Sequence, residues 1–222
     1  MIKYIKSISV LAFFLIICLS SVEKTPKALI IGDSISIGYT KYVKQKLKNK
    51  IEIIHNKGNA QHTGTGLAKI KEWIGEDDWD VIQFNWGLWD LCYRHPDSKI
   101  QGKRDKVNGT ICYSVEEYQQ NLDSLVRTIK SLTKAQLIFV TTTYVPESEA
   151  GRFHDDAIIY NRAALEVMKK YNVQVNDIYE PSVIIHKQSG LGPDNVHFTE
   201  EGYQKLADLI VPILEKAVIK LN

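Results

Sequence analysis

Apolar and polar positions along this chain follow two periods. Nearly continuous apolar runs at Ala28 to Ile31, Ile51 to His55, Asp80 to Gly87, Gln136 to Tyr144 and Val173 to Asn176 read as strands, the third apolar on both faces as a sheet interior requires. Between them apolar residues recur at helical spacing. Tyr118, Leu122, Leu125, Val126, Ile129 and Leu132 share one face, and Ser114-Val115-Glu116-Glu117 ahead of them has capping-box spacing, so a helix is predicted over 115–132. Shorter helices are predicted over 39–47, 66–73, 157–171 and 181–187. The last helix is marked by Tyr203, Leu206, Ala207, Ile210 and Leu214, with Thr199 as its cap and Glu200 and Glu201 in its first turn; Pro212 is expected to kink it or reset its start. Strands alternating with helices predict a three-layer α/β/α sandwich around a mainly parallel, five-stranded sheet, with residues 27–222 as one domain.

The first residues break this pattern. Lys3 and Lys6 precede an apolar run from Ile8 to Leu19 that is short for a bilayer span and leads into Ser20 and Ser21. Those are the features of a secretory signal peptide over residues 1–20, which places the mature chain outside the cell or in a periplasm, with no stable membrane insertion after cleavage. Lipid attachment at Cys18 is the alternative, although Ile17 stands where such a site wants a small residue. The full chain carries 28 Lys and Arg against 26 Asp and Glu, so losing Lys3 and Lys6 leaves the mature chain formally neutral, and no nucleic-acid partner is expected. The cut also leaves two cysteines, Cys92 and Cys112, as either a disulfide or two buried thiols. Nothing in the sequence fixes an oligomeric state.

Chemistry concentrates at the two ends of the domain. The first strand stops abruptly at Gly32-Asp33-Ser34, with residues beyond it that can continue as a helix. Ser34 thus falls at the carboxyl edge of the sheet, where ligands bind in open α/β folds and where helix N–H groups face a developing anion. It is the expected nucleophile. Ser36 is a rival, but it lies past the turn and Ser34 occupies the place where a Gly-x-Ser-x-Gly elbow needs a small residue. At the other end Asp194 and His197 stand three residues apart, a spacing that brings a carboxylate to imidazole Nδ1 and leaves Nε2 free to take a proton.

Gly32-Asp33-Ser34 after the first strand, Gly87-Leu88-Trp89-Asp90 after the third, and Asp194-Asn195-Val196-His197 before the last helix resemble the first, third and fifth blocks of the SGNH, or GDSL-type, hydrolases. The resemblance implies a flavodoxin-like sheet, a shallow open site, Ser34 as nucleophile, His197 as base and then acid, and Asp194 as its orienting carboxylate. It departs from the family at Trp89, where an oxyanion-hole Asn is usual, and at Gln61, where a second-block glycine is expected. Backbone N–H groups around Ser34 and Gln61, with Asn85 or Trp89, are therefore expected to hold the oxyanion.

The implied activity is that of an exported serine esterase acting through an acyl-enzyme, most readily on acetyl esters of carbohydrates. A lipid or thioester hydrolase on the same triad and a catalytically silent glycan-binding protein are the alternatives. The polar excursion from Leu88 to Tyr113, with Arg94, His95, Arg104, Asp105 and Lys106, and the next loop, with Arg152 and His154, either recognise hydroxyls or carboxylates of a glycan or are solvated loops. Trp73, Trp79 and Trp86 read as core and Trp89 as a site residue. His55, His62 and His186 lack metal-ligand spacing, so no metal or other cofactor is expected.

Overall fold

The computed structural model describes residues 24–219, so the expected signal peptide and Cys18 lie outside the described residues. The elements run β1 (Lys27–Ile31), α1 (Ser34–Lys46), β2 (Glu52–His55), α2 (Thr63–Ile74), β3 (Val81–Phe84), β4 (Tyr93–Arg94), a 3-10 turn, β5 (Thr110–Ile111), α3 (Val115–Leu132), β6 (Gln136–Val140), α4 (Asp156–Lys170), β7 (Gln174–Asn176), α5 (Tyr179–Ser189) and α6 (Glu200–Ile219). Five strands form one fully parallel sheet in the order β2-β1-β3-β6-β7. The central strands are apolar because helices cover both faces: all four residues of β3 are buried, and only Lys27 of β1 is not. On one side α1 packs on α6 and α6 on α5; on the other α2 packs on α3 and α3 on α4. This is a three-layer α/β/α sandwich, the architecture expected from the sequence.

The order of the strands reverses between β1 and β3, so their carboxyl ends flank a crevice. Ser34 follows one strand and Trp89 the other.

The capping box predicted for α3 is present, with Ser114 Oγ accepting from Glu117 N and the Glu117 carboxylate accepting from Ser114 N. The first helix begins five residues earlier than its apolar spacing suggested, because Asp33 caps it by accepting from Ile35 N at 2.9 Å. Pro212 neither ends nor restarts α6, which runs unbroken through it. A proline frees a carbonyl in the preceding turn. Here that carbonyl is Asp208 O; separately, the Asn176 amide at the end of β7 donates to the next carbonyl, Leu209 O, at 3.1 Å and ties α6 to the sheet.

The polar excursion folds back as the β4–β5 hairpin and the 3-10 turn. Its register continues to Cys92 and Cys112, joined by a backbone hydrogen bond from Cys112 N to Cys92 O. Both thiols are free in this structure, Cys92 buried and Cys112 half-buried.

Candidate active site

The turn after β1 is fixed on both flanks before any chemistry is considered. Gly32 N donates to Asn56 Oδ1 at 3.0 Å and Gly32 O accepts from Ala60 N at 3.0 Å, tying the turn to the segment after β2. A Cβ at Gly32 would stand 2.7 Å from Ser36 Oγ, so the turn closes this tightly only around glycine. Ser36 itself is 2% exposed, with its hydroxyl 2.7 Å from His55 Nε2 and 2.8 Å from Asp33 O. His55 Nδ1 lies 2.9 Å from Asn56 O, a pure acceptor, so this nitrogen carries the ring proton. Burial lowers the His55 pKa and favours the neutral ring with Nε2 bare, so the single Ser36 hydroxyl proton lies within reach of two acceptors, Asp33 O and His55 Nε2. Ser36 is thus a buried brace behind the nucleophile turn.

Ser34 Oγ lies 2.9 Å from His197 Nε2, a contact between residues 163 positions apart. The loop carrying the histidine is held by His186, whose Nε2 lies 2.7 Å from Asn195 O, and by Leu191 N donating to His197 O at 3.0 Å. Its ring is oriented by Asn195. Oδ1 of that side chain accepts from His197 N at 3.0 Å and lies 2.8 Å from His197 Nδ1. A backbone N–H can only donate, so the asparagine atom facing it is the oxygen, and the Nδ1 beside the same oxygen must carry a proton. Nε2 is then the bare nitrogen, and it faces Ser34.

This differs from the expected arrangement. Asp194 is exposed and makes no hydrogen bond to the imidazole; the tight loop from Gly192 aims the neighbouring side chain at Nδ1 instead. Spacing alone does not separate adjacent residues whose side chains both end in an acceptor oxygen.

Ser34, His197, Asn195, Trp89 and Asn59 line one cleft of about 280 Å³, together with Asp33, Leu88, Arg94, Arg104 and Arg152. Burial raises the Asp33 pKa, and its carboxyl is committed to capping Ile35 N. His197 is held below the ordinary imidazole range, first by burial and then by the positive charges of Arg152 and Arg104, with Glu149 opposing them. Each of the first three favours the neutral ring, the form that can accept a proton.

Of the expected oxyanion donors, Ser34 and Trp89 face the cleft and two others do not. Gln61 adopts φ of 51° and spends its backbone N–H on Asn59 Oδ1 at 2.8 Å. Asn85 donates its amide to Val140 O at 2.7 Å, bridging the ends of β3 and β6. Three residues that line the cleft carry donors that meet no acceptor among the described residues: Ser34 N, the Trp89 indole N–H and Asn59 Nδ2. Asn59 was not singled out from the sequence; the clue available was the Asn56-Lys57-Gly58-Asn59 turn at the carboxyl end of β2.

Asp90 lies behind this wall, completely buried. Its Oδ1 accepts from Thr63 N at 2.9 Å and from Thr63 Oγ1 at 2.5 Å, which ties the start of α2 to the loop carrying Trp89. Oδ2 has no partner among the described residues, and burial pushes the carboxyl pKa up to about 7.

A doubly wound parallel sheet with a serine and a neutral imidazole at its carboxyl edge belongs to a carboxylic ester hydrolase of SGNH type. The chain is a member of the GDSL-like lipase/acylhydrolase family, whose model matches residues 30–205. Similar solved structures include a lipase/acylhydrolase from Enterococcus faecalis, with 21% identity and a TM-score of 0.68 over 86% of this chain and 96% of that one. The acetyl xylan esterase AlAXEase has 14% identity and a TM-score of 0.68 over 85% and 99% of the two chains. Axe2, an acetylxylan esterase from Geobacillus stearothermophilus, has 21% identity and a TM-score of 0.66 over 84% and 93%. Variants of Axe2 described as catalytic mutants replace a serine in one case and an aspartate in another with alanine. No curated protein matches the sequence.

Proposed function

We propose that the protein is an exported serine esterase that removes acyl groups, chiefly acetyl, from carbohydrate esters, with Ser34 as nucleophile, His197 as general base and acid, and Asn195 as the residue that orients His197. The observation that carries this is the 2.9 Å contact of Ser34 Oγ with the bare Nε2. In the first half of the reaction the hydroxyl proton passes to Nε2 as Oγ bonds to the ester carbonyl carbon. The resulting oxyanion is held by Ser34 N at the start of α1, with the Asn59 amide and the Trp89 indole as side-chain donors. The imidazolium then gives its proton to the departing alcohol oxygen, and the C–O bond breaks to leave an acyl-serine. In the second half Nε2 takes a proton from water, hydroxide adds to the acyl carbon, and the acid is released as Oγ regains its proton.

Export rests on the Lys3, Lys6 and Ile8 to Leu19 pattern, and carbohydrate acetyl esters on the likeness to the acetylxylan esterases. A second reading keeps Asp194 as the orienting carboxylate, favoured by the aspartate variant of Axe2 described as a catalytic mutant.

The direct test is acetate release from acetylated xylo-oligosaccharides and from a small aryl acetate, measured for the mature chain beside Ser34→Ala. The serine variant is expected to lose about three orders of magnitude or more in kcat. Undiminished turnover by Ser34→Ala would remove the assignment, and no turnover of any ester by the unaltered chain would leave a glycan-binding protein.

A further inference from the structure

The cleft around Ser34 and His197 holds three arginines, and they are not neutralised within it. Arg152 is 5% exposed and donates through Nε to Leu88 O at 2.6 Å and through Nη1 to Glu149 Oε1 at 2.9 Å. Arg104 Nη1 donates to that same oxygen, and the other oxygen of the fully buried Glu149 accepts from Gly151 N at 2.7 Å. One carboxylate therefore serves two guanidinium groups. Arg94 lies over the Trp89 ring, 4.7 Å from its centroid, and spends Nη1 on Gly102 O, a neutral acceptor. Glu149 lies beneath the cleft wall, and among the described residues the one carboxyl that lines the cleft, Asp33, already caps α1. Even with Asp33 ionised, three positive charges face two negative ones.

The unspent donors matter as much as the charge. Among the described residues, no acceptor meets Nη2 of Arg94, Arg104 or Arg152, or Nε of Arg94. Desolvating a cation without a full set of partners is costly, and a guanidinium presents paired N–H groups that match the two oxygens of a carboxylate. A neutral acetylated sugar would leave this excess uncompensated.

We propose that the cleft selects esters borne on a carboxylate-containing glycan, with Arg94 and Arg104 as the groups that meet the substrate carboxylate and the Arg152–Glu149 pair as the brace beneath them. The inference rests on the esterase reading for its substrate class, and its test separates the two. Rates on an acetylated oligogalacturonide and an acetylated xylo-oligosaccharide are measured across a series of NaCl concentrations, for the mature chain and for Arg94→Gln and Arg104→Gln. Binding of the two glycans and of a sulfated oligosaccharide to Ser34→Ala is followed by calorimetry. The acidic substrate is expected to have the higher kcat/KM at low salt, and the acidic-to-neutral ratio to fall about five- to tenfold in each arginine variant and to shrink as salt rises. Equal kcat/KM for the two substrates at low salt, or a ratio unmoved by both variants, would overturn the proposal. If no ester is turned over, the esterase reading fails, yet binding still decides: tighter binding of the oligogalacturonide sustains the inference. Equal binding, or tighter binding of the sulfated glycan, overturns it.

Discussion

Replacing Asn195 by alanine tests how the imidazole is held. The substitution removes one oxygen that serves two donors, His197 N and His197 Nδ1, at 3.0 and 2.8 Å. In the resting state the Nδ1 bond joins a neutral ring to a neutral amide and contributes roughly 1 kcal/mol. In the transition state the ring becomes an imidazolium, and a hydrogen bond from a charged donor is worth about 1.5–3 kcal/mol. The difference, on the order of 1–2 kcal/mol, is stabilisation realised only as the proton moves, and each 1.4 kcal/mol is about a factor of ten in rate. Loss of the lock on the Nδ1–H tautomer adds to this. Asn195→Ala is therefore expected to lower kcat about 10- to 100-fold with little change in KM, whereas Asp194→Ala, which removes an exposed carboxylate without a bond to the ring, should stay within about threefold of the parent. The assay is steady-state hydrolysis of a small aryl acetate at neutral pH, with circular dichroism to confirm folding. A collapse of kcat in Asp194→Ala beside near-normal rates in Asn195→Ala would refute the reasoning and assign the carboxylate to Asp194.

Three further outcomes are expected. Because burial, Arg152 and Arg104 all lower the His197 pKa and only the neutral ring can accept the Ser34 proton, the acid limb of kcat/KM should have its midpoint below the reference value of about 6.5; a profile over pH 4 to 9 with a midpoint at or above that value counts against this environment. Asp90 has a folded pKa of about 7, above its unfolded value, so the native state binds the extra proton and stability attributable to this group falls as pH rises from about 4 through 7; urea denaturation across that range should show a slope that flattens in Asp90→Asn. Ser36→Ala removes the partner of His55 Nε2 and should cost about 1–3 kcal/mol of unfolding free energy by the same method, and an unchanged midpoint would show that the pair does not brace the turn.

What could be read from the chain alone follows from what each residue type must do. The strands and α3 were legible because burial on two faces or on one helical stripe leaves a period in the residues themselves, and Ser34 and His197 were legible because the topology brings both to one sheet edge. The limits of α1 were less so: its apolar spacing begins at Tyr39, while its start is decided by the side-chain cap at Asp33. The candidate oxyanion donors were hardest. Gln61, Asn85 and Asn59 are all amides in turns or strand ends near the site, and which of them faces the cleft depends on where its other hydrogen bond goes, to a neighbouring backbone N–H or to Val140 O. The same holds for Asp194 and Asn195, since a single turn of backbone decides which of two adjacent oxygens meets Nδ1. The arginines were visible as loop charges, but Glu149, which joins two of them, shares a loop with Arg152 and meets Arg104 of the preceding loop only in the folded chain.

The pairing of Ser34 with His197 couples reactivity to completion of the fold. The hydroxyl belongs to the first helix and the imidazole to the loop before the last, and α1 and α6 must pack together for the two to meet. A chain truncated before α6, or emerging unfinished from synthesis, owns every catalytic group up to its end and yet has no acceptor for the serine proton. On the proposed mechanism hydrolysis would begin only with the final helix docked, and loss of activity on proteolysis or heating would gauge that single closure.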